Sequence, residues 1–122
     1  MSNADGPLKG IRVADFSRVI AGPLASMHLA DLGADVAKIE HPAGGDDTRG
    51  YSPPDYHGLS PAFLCFNRNK RSIALDLSVE EGRATARALI DAADVVIENF
   101  STGVMAKFGL DYESVKRPDL IY

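Results

Sequence analysis

Apolar positions along the chain change period several times, and each change marks an element. Residues 11–16, IRVADF, form a short β-branched run, and residues 35–40, DVAKIE, form a second. Between them, residues 24–32 are apolar on nearly every side, as in a helix covered by other layers. Gly22-Pro23 reads as the turn before that helix, and Gly33 as its left-handed stop. Residues 11–40 thus have the length of a βαβ unit, which predicts parallel strands joined by a right-handed crossover.

The pattern then lapses over residues 41–59, HPAGGDDTRGYSPPDYHGL, a connection long enough to suggest function or disorder. Ser60 caps, and Pro61 opens, a short predicted helix over residues 60–67. Residues 72–77 read as a third strand. Ser78-Val79-Glu80-Glu81 matches a capping box at the start of the next helix. In that helix Ala86, Leu89, Ile90 and Ala93 share one face, with Arg87 and Asp91 four apart on the other. Residues 94–98 form a fourth strand, residues 102–108 a short helix stopped by Gly109, and residues 112–116 one more helical turn. Leu120-Ile121-Tyr122 begins a further strand.

Strands alternating with helices predict an α/β fold, an open, mostly parallel sheet with helices on both faces. Such sheets take ligands in the crevice at the carboxyl ends of their strands. The first loop (residues 17–23), Glu40-His41, Leu77-Ser78 and residues 99–101 should therefore open on one edge.

Composition narrows the choices. A chain of 122 residues fits one domain, here residues 9–122, after a flexible polar tail at residues 1–8, MSNADGPL. A net charge of -4 argues against a nucleic-acid partner, which needs a broad basic face, and leaves room for an anionic small molecule. One cysteine and no charged-then-apolar leader favour a cytoplasmic location. No apolar run approaches the roughly 20 residues that span a bilayer.

Several motifs weaken on inspection. The first loop lacks G-x-G-x-x-G, so Glu40 does not make a dinucleotide site although its position would suit a ribose-binding acid. His28, His41 and His57 have no metal-ligand spacing, and no metal is expected. Asn99-Phe100-Ser101 fits a glycosylation pattern without the secretory leader that would give it meaning. Cys65 reads as a buried small hydrophobe rather than a nucleophile. Asp46 and Asp47 read as a solvated acidic turn, and Asp15 as a structural hydrogen-bonding residue. The cations Arg68, Lys70 and Arg71 precede the third strand, at the opposite end of the sheet from the crevice. They belong either to the rim of a ligand site or to a contact with another part of the protein.

Several of these segments recur together in one family. GIRVADFSRVIAGPLASMHLADLGADVAKIE, GGDDTRG, NRNKRSIALDL and DVVIENFSTGVMAKFGLDYESV, in that order, resemble the amino-terminal part of the family III CoA-transferases over residues 8–122. That group includes formyl-CoA and carnitine CoA-transferases and the α-methylacyl-CoA racemases. The resemblance implies a Rossmann-like part of a longer chain that interlocks with its copy as a homodimer. The ligand it implies is coenzyme A, with an acyl-CoA and a small carboxylic acid as substrates.

Carried over by position, Ile20 and Ala21 would line the thioester end and His41 would face the nucleotide. Leu75, Asp76, Leu77 and Ser78 would cradle the adenine. Asn99, Phe100 and Ser101 would flank the pantetheine and phosphates, and Lys107 would neutralise phosphate. Lys70 and Arg71 are weaker candidates. Histidine at position 41 stands where such members can have arginine, and it carries less dependable charge near neutral pH.

In the family's chemistry an aspartate attacks the thioester to form a mixed anhydride and CoA thiolate, the thiolate attacks the enzyme carbonyl to give an aspartyl-CoA thioester and release the donor acid, and CoA then passes to the incoming acid. That aspartate is expected beyond Tyr122, so the isolated chain should be inactive. ENF at 98–100 and GDDTRG at 45–50 favour an acyl-CoA:carboxylate transferase. The alternatives are a racemase-like enzyme and, from another class, a non-catalytic nucleotide-binding or assembly module.

Overall fold

Val13 and Ala14 are adjacent in sequence and almost fully buried, yet they belong to different apolar clusters. The reason is strand geometry, which sends successive side chains to opposite faces. The computed structural model describes residues 5–122. Its sheet comprises β1 (Arg12–Asp15), β2 (Asp35–Glu40), β3 (Lys70–Ala74) and β4 (Val95–Ile97) in the order β3-β2-β1-β4. All three strand pairings are parallel, the order found in a doubly wound sheet.

Helices cover both faces. On one, α1 (Ala21–Asp31) packs Ala30 with Val13, Ala34 and Val36. On the other, α3 (Glu80–Asp91), α4 (Val104–Lys107) and α5 (Tyr112–Val115) bring Ala86, Ile90, Met105 and Val115 against Ala14, Ile39 and Val96. The α3 face expected from the sequence is the buried one, and Arg87 meets Asp91 at 3.0 Å on the outer side. Burying a side chain the size of Ile90 contributes about 1.5 to 3 kcal/mol. A parallel bridge from Val95 to Ile121 adds the start of another strand beside β4.

Several boundaries and environments differ from the sequence reading. The third strand runs from Lys70 to Ala74 rather than over residues 72–77, so Lys70 and Arg71 are strand residues and Leu75 to Leu77 follow the strand. Gly22 and Pro23 lie within the first turn of α1, where a missing proline N–H breaks no helical bond. Ser78 does not cap α3. The Asp76 carboxylate takes its amide at 2.9 Å and its hydroxyl at 2.6 Å, and Val79 becomes the N-cap. Glu80 and Glu81 then face the positive end of the helix. Ser60 does cap α2 (Pro61–Phe66), its hydroxyl accepting from the Phe63 amide. That helix buries none of its residues, so Cys65 is exposed rather than a core hydrophobe.

Residues 1–4 of the expected tail lie outside the described residues. Leu8 packs against the α1-side cluster, and its amide donates to the Leu32 carbonyl at 2.9 Å. No helix among the described residues is long and apolar enough to cross a membrane.

The basic cluster is held by internal partners. Arg68 meets Asp31 and Arg71 meets Asp35, each at 2.7 Å, while the buried Lys70 ammonium lies 3.2 Å from Asp15 and 2.9 Å from the carbonyl of Pro23. Burial takes Lys70 down to about 8 despite Asp15. Asp15 is the structural hydrogen-bonding residue its position suggested, also accepting from the hydroxyls of Ser17 and Ser26.

Candidate functional site at the carboxyl edge of the sheet

Parallel strands end on the same edge, and segments following all four of them enclose a cleft of about 290 Å³. Phe16 and Arg18 come from the end of β1, and Ile39, Glu40 and His41 from the end of β2. Leu75, Asp76, Leu77 and Ser78 follow β3, while Phe100, Ser101, Val104 and Phe108 follow β4. The wall is therefore largely apolar, with polar groups at the rim, the composition that suits an organic ligand with a charged end.

Charge at the cleft is unequally available. The Arg18 guanidinium sits 4.9 Å from the centre of the Phe100 ring. Among the described residues, no carboxylate pairs with it. His41 is exposed, and its Nδ1 accepts from the Ala43 amide at 3.0 Å. Glu40 is engaged elsewhere: Arg49 grips both of its oxygens, at 2.9 and 2.7 Å, Ser72 donates to it at 2.5 Å and the Asp46 amide at 2.9 Å. Burial pushes its carboxyl up, but these donors together outweigh burial and bring it to about 2. Asp76 is likewise lowered, first by the Ser78 hydroxyl and then by the Ser78 amide.

The loop between β1 and α1 is shaped from outside. The Asn99 amide accepts from the Arg18 N–H at 2.9 Å and donates to the Arg18 carbonyl at 2.8 Å. Lys38, inside β2, donates to the Ser17 carbonyl at 3.0 Å and to Asp46 at 2.8 Å. Asp46 in turn accepts from the amides of Val19 at 3.2 Å and Thr48 at 2.9 Å. Asp46 is therefore a buried, paired carboxylate rather than part of the solvated acidic turn expected for Asp46 and Asp47, of which only Asp47 is exposed. Burial raises its pKa, yet Lys38 and Thr48 outweigh that, and it titrates below the usual aspartate value.

Of the residues singled out in the sequence, His41, Leu75, Asp76, Leu77, Ser78, Phe100 and Ser101 come together around the cleft. Asn99 stands behind it through Arg18. Ile20 and Ala21 lie at the start of α1, both exposed, and Lys107 is exposed at the end of α4; none of the three lines the cleft. Lys70 and Arg71 are also outside it. The sequence reading missed Arg18, whose place in the loop after β1 was the available signal. It also missed Lys38, which nothing in a strand pattern distinguishes from a surface lysine. Among the described residues, no three His, Cys, Asp or Glu side chains stand close enough together to hold a metal ion.

Comparison with known proteins agrees with this geometry. The model of CoA-transferase family III matches residues 8–122. Succinate–glutarate CoA-transferase of Agrobacterium fabrum is 53% identical over 130 residues, covering 100% of this chain and 32% of that protein. Human succinyl-CoA:glutarate CoA-transferase is 42% identical over 118 residues, covering 95% of this chain and 27% of that protein. The crystal structure of a CAIB/BAIF family protein from Brucella suis superposes with a TM-score of 0.90 at 50% identity, covering 96% of this chain and 32% of that one. The chain thus spans about a third of the length of these relatives. With its fold, its strand-end cleft and these matches in agreement, the chain belongs to CoA-transferase family III.

Proposed function

We propose that this chain supplies the coenzyme A-binding part of an acyl-CoA:carboxylate CoA-transferase. One observation carries the reading: segments from the carboxyl ends of four parallel strands enclose a single apolar cleft with a guanidinium and an imidazole at its rim. An adenine needs an apolar slot, whereas phosphates need donors nearby, and neither needs a globally basic protein. Leu75, Asp76, Leu77 and Ser78 cradle the base, and His41 faces the nucleotide. Phe100 and Ser101 flank the arm, with Asn99 behind them holding Arg18. Ile20 and Ala21 stand at the thioester end, and Lys107 neutralises phosphate from the end of α4.

The names of the relatives suggest small carboxylic acids, such as succinate and glutarate, as donors and acceptors. Asp15 and Asp46 are buried in ion pairs, which suits them poorly to attack a thioester. As the family resemblance implies, the nucleophilic aspartate lies beyond Tyr122, and this chain alone is inactive. The complete enzyme works as a homodimer in the cytoplasm.

Calorimetric titration of the full-length protein with coenzyme A, followed by chromatographic assay of succinyl-CoA with glutarate, tests the reading. Binding with formation of glutaryl-CoA is expected. A protein that binds no coenzyme A and transfers nothing overturns it.

A further inference from the structure

We propose that Asn99, acting with the buried Lys38 and Asp46 pair, is a positioning residue for CoA transfer, a role that rests on the transferase reading above. Four consecutive polar groups of the backbone, from the Ser17 carbonyl to the Val19 amide, are met by side chains from three separate segments, β2 and two loops. Lys38 takes the Ser17 carbonyl, Asn99 takes both the amide and the carbonyl of Arg18, and Asp46 takes the Val19 amide.

Val19 shows why such bracing is needed. Its φ of 71° lies in the left-handed region, which a β-branched residue disfavours, so the loop does not hold this shape by its own preference. The bracing residues impose it. The loop leads directly into Ile20, the N-cap of α1, and Ala21, the first residue of that helix. The Asn99 amide thus ties the β4 wall of the cleft, where Phe100 carries Arg18, to the start of α1. Its oxygen and one of its N–H bonds are both engaged by Arg18, so each end of the amide is fixed to the loop.

The test uses the full-length protein carrying Asn99→Ala or Asp46→Asn. Asn99 is exposed and its side chain bonds only to Arg18, so its truncation should leave the fold intact even where the buried Asp46 variant does not fold. Hydrogen exchange at the amides of residues 18–21 should speed up about tenfold in Asn99→Ala, with global unfolding unchanged. The kcat for CoA transfer should fall about tenfold, while the equilibrium affinity for coenzyme A changes less than about threefold.

Unchanged exchange or unchanged kcat overturns the proposal. So does an affinity for coenzyme A that falls in step with kcat, which assigns Asn99 to direct contact. A wild-type protein without turnover overturns the transferase reading instead. Exchange then decides alone whether Asn99 holds the loop, and the link to CoA transfer falls with that reading.

Discussion

The Lys38 ammonium lies 2.8 Å from the Asp46 carboxylate, and neither side chain is more than 1% exposed. Two opposite charges in so dry a place depend on each other, because removing one strands the other without water. Lys38→Met in the full-length protein should lose about 3 to 5 kcal/mol of stability in urea titration. A loss under about 1 kcal/mol would show that water or relaxation already solvates Asp46, and would sink the dry-pair description.

Glu40 gives a pH dependence whose sign is set by its partners. Its folded pKa of about 2 lies below the ordinary 4.5, so the native state holds the ionised form more tightly. The resulting stability is fully present above about pH 5 and is lost as pH falls from there through about 2, by about 3 kcal/mol at most. Arg49→Met should flatten that part of the profile. An identical acid limb in the variant would place the stabilisation elsewhere.

Gly82 should reverse the usual helix preference. A Cβ built there would stand 1.9 Å from the Asp76 carbonyl oxygen, which is backbone at the wall of the cleft. Alanine normally gains about 1 kcal/mol over glycine within a helix, but overpacking costs about 1 to 3 kcal/mol. Gly82→Ala is therefore expected to destabilise the protein and weaken coenzyme A binding together, as read by thermal melting and titration. A variant with raised Tm and unchanged affinity would refute the close approach.

Cys65 should react in the folded protein. It sits on a helix with no buried residues, and a thiol of ordinary access reacts within about tenfold of its rate in the unfolded chain. Maleimide labelling followed by mass spectrometry checks this. Protection by a factor of about a thousand would mean that something covers α2.

Periodicity made the architecture legible, because a two-sided sheet leaves apolar residues on alternating strand faces and one stripe on a helix such as α3. The second strand needed no correction. The cleft was legible by position too, since parallel strands oblige their following loops to meet at one edge. Side-chain partnerships were the part that sequence does not encode locally. Ser78 and Glu81 satisfied the capping pattern, but Asp76 took the Ser78 hydroxyl first. Lys38 and Asp46 are eight residues apart, and only the fold buries them together. Cys65 lies in an apolar stretch, PAFLCF, that the fold leaves uncovered.

The neighbours Val13 and Ala14 serve opposite layers, and this constrains how the gene can change. One codon inserted or deleted within β1 would exchange the allegiance of every later position in that strand and spoil both layers at once. Length variation is therefore tolerable only between strands. The exposed stretch of residues 51–59 can grow or shrink among descendants while the four short runs keep a fixed number of residues.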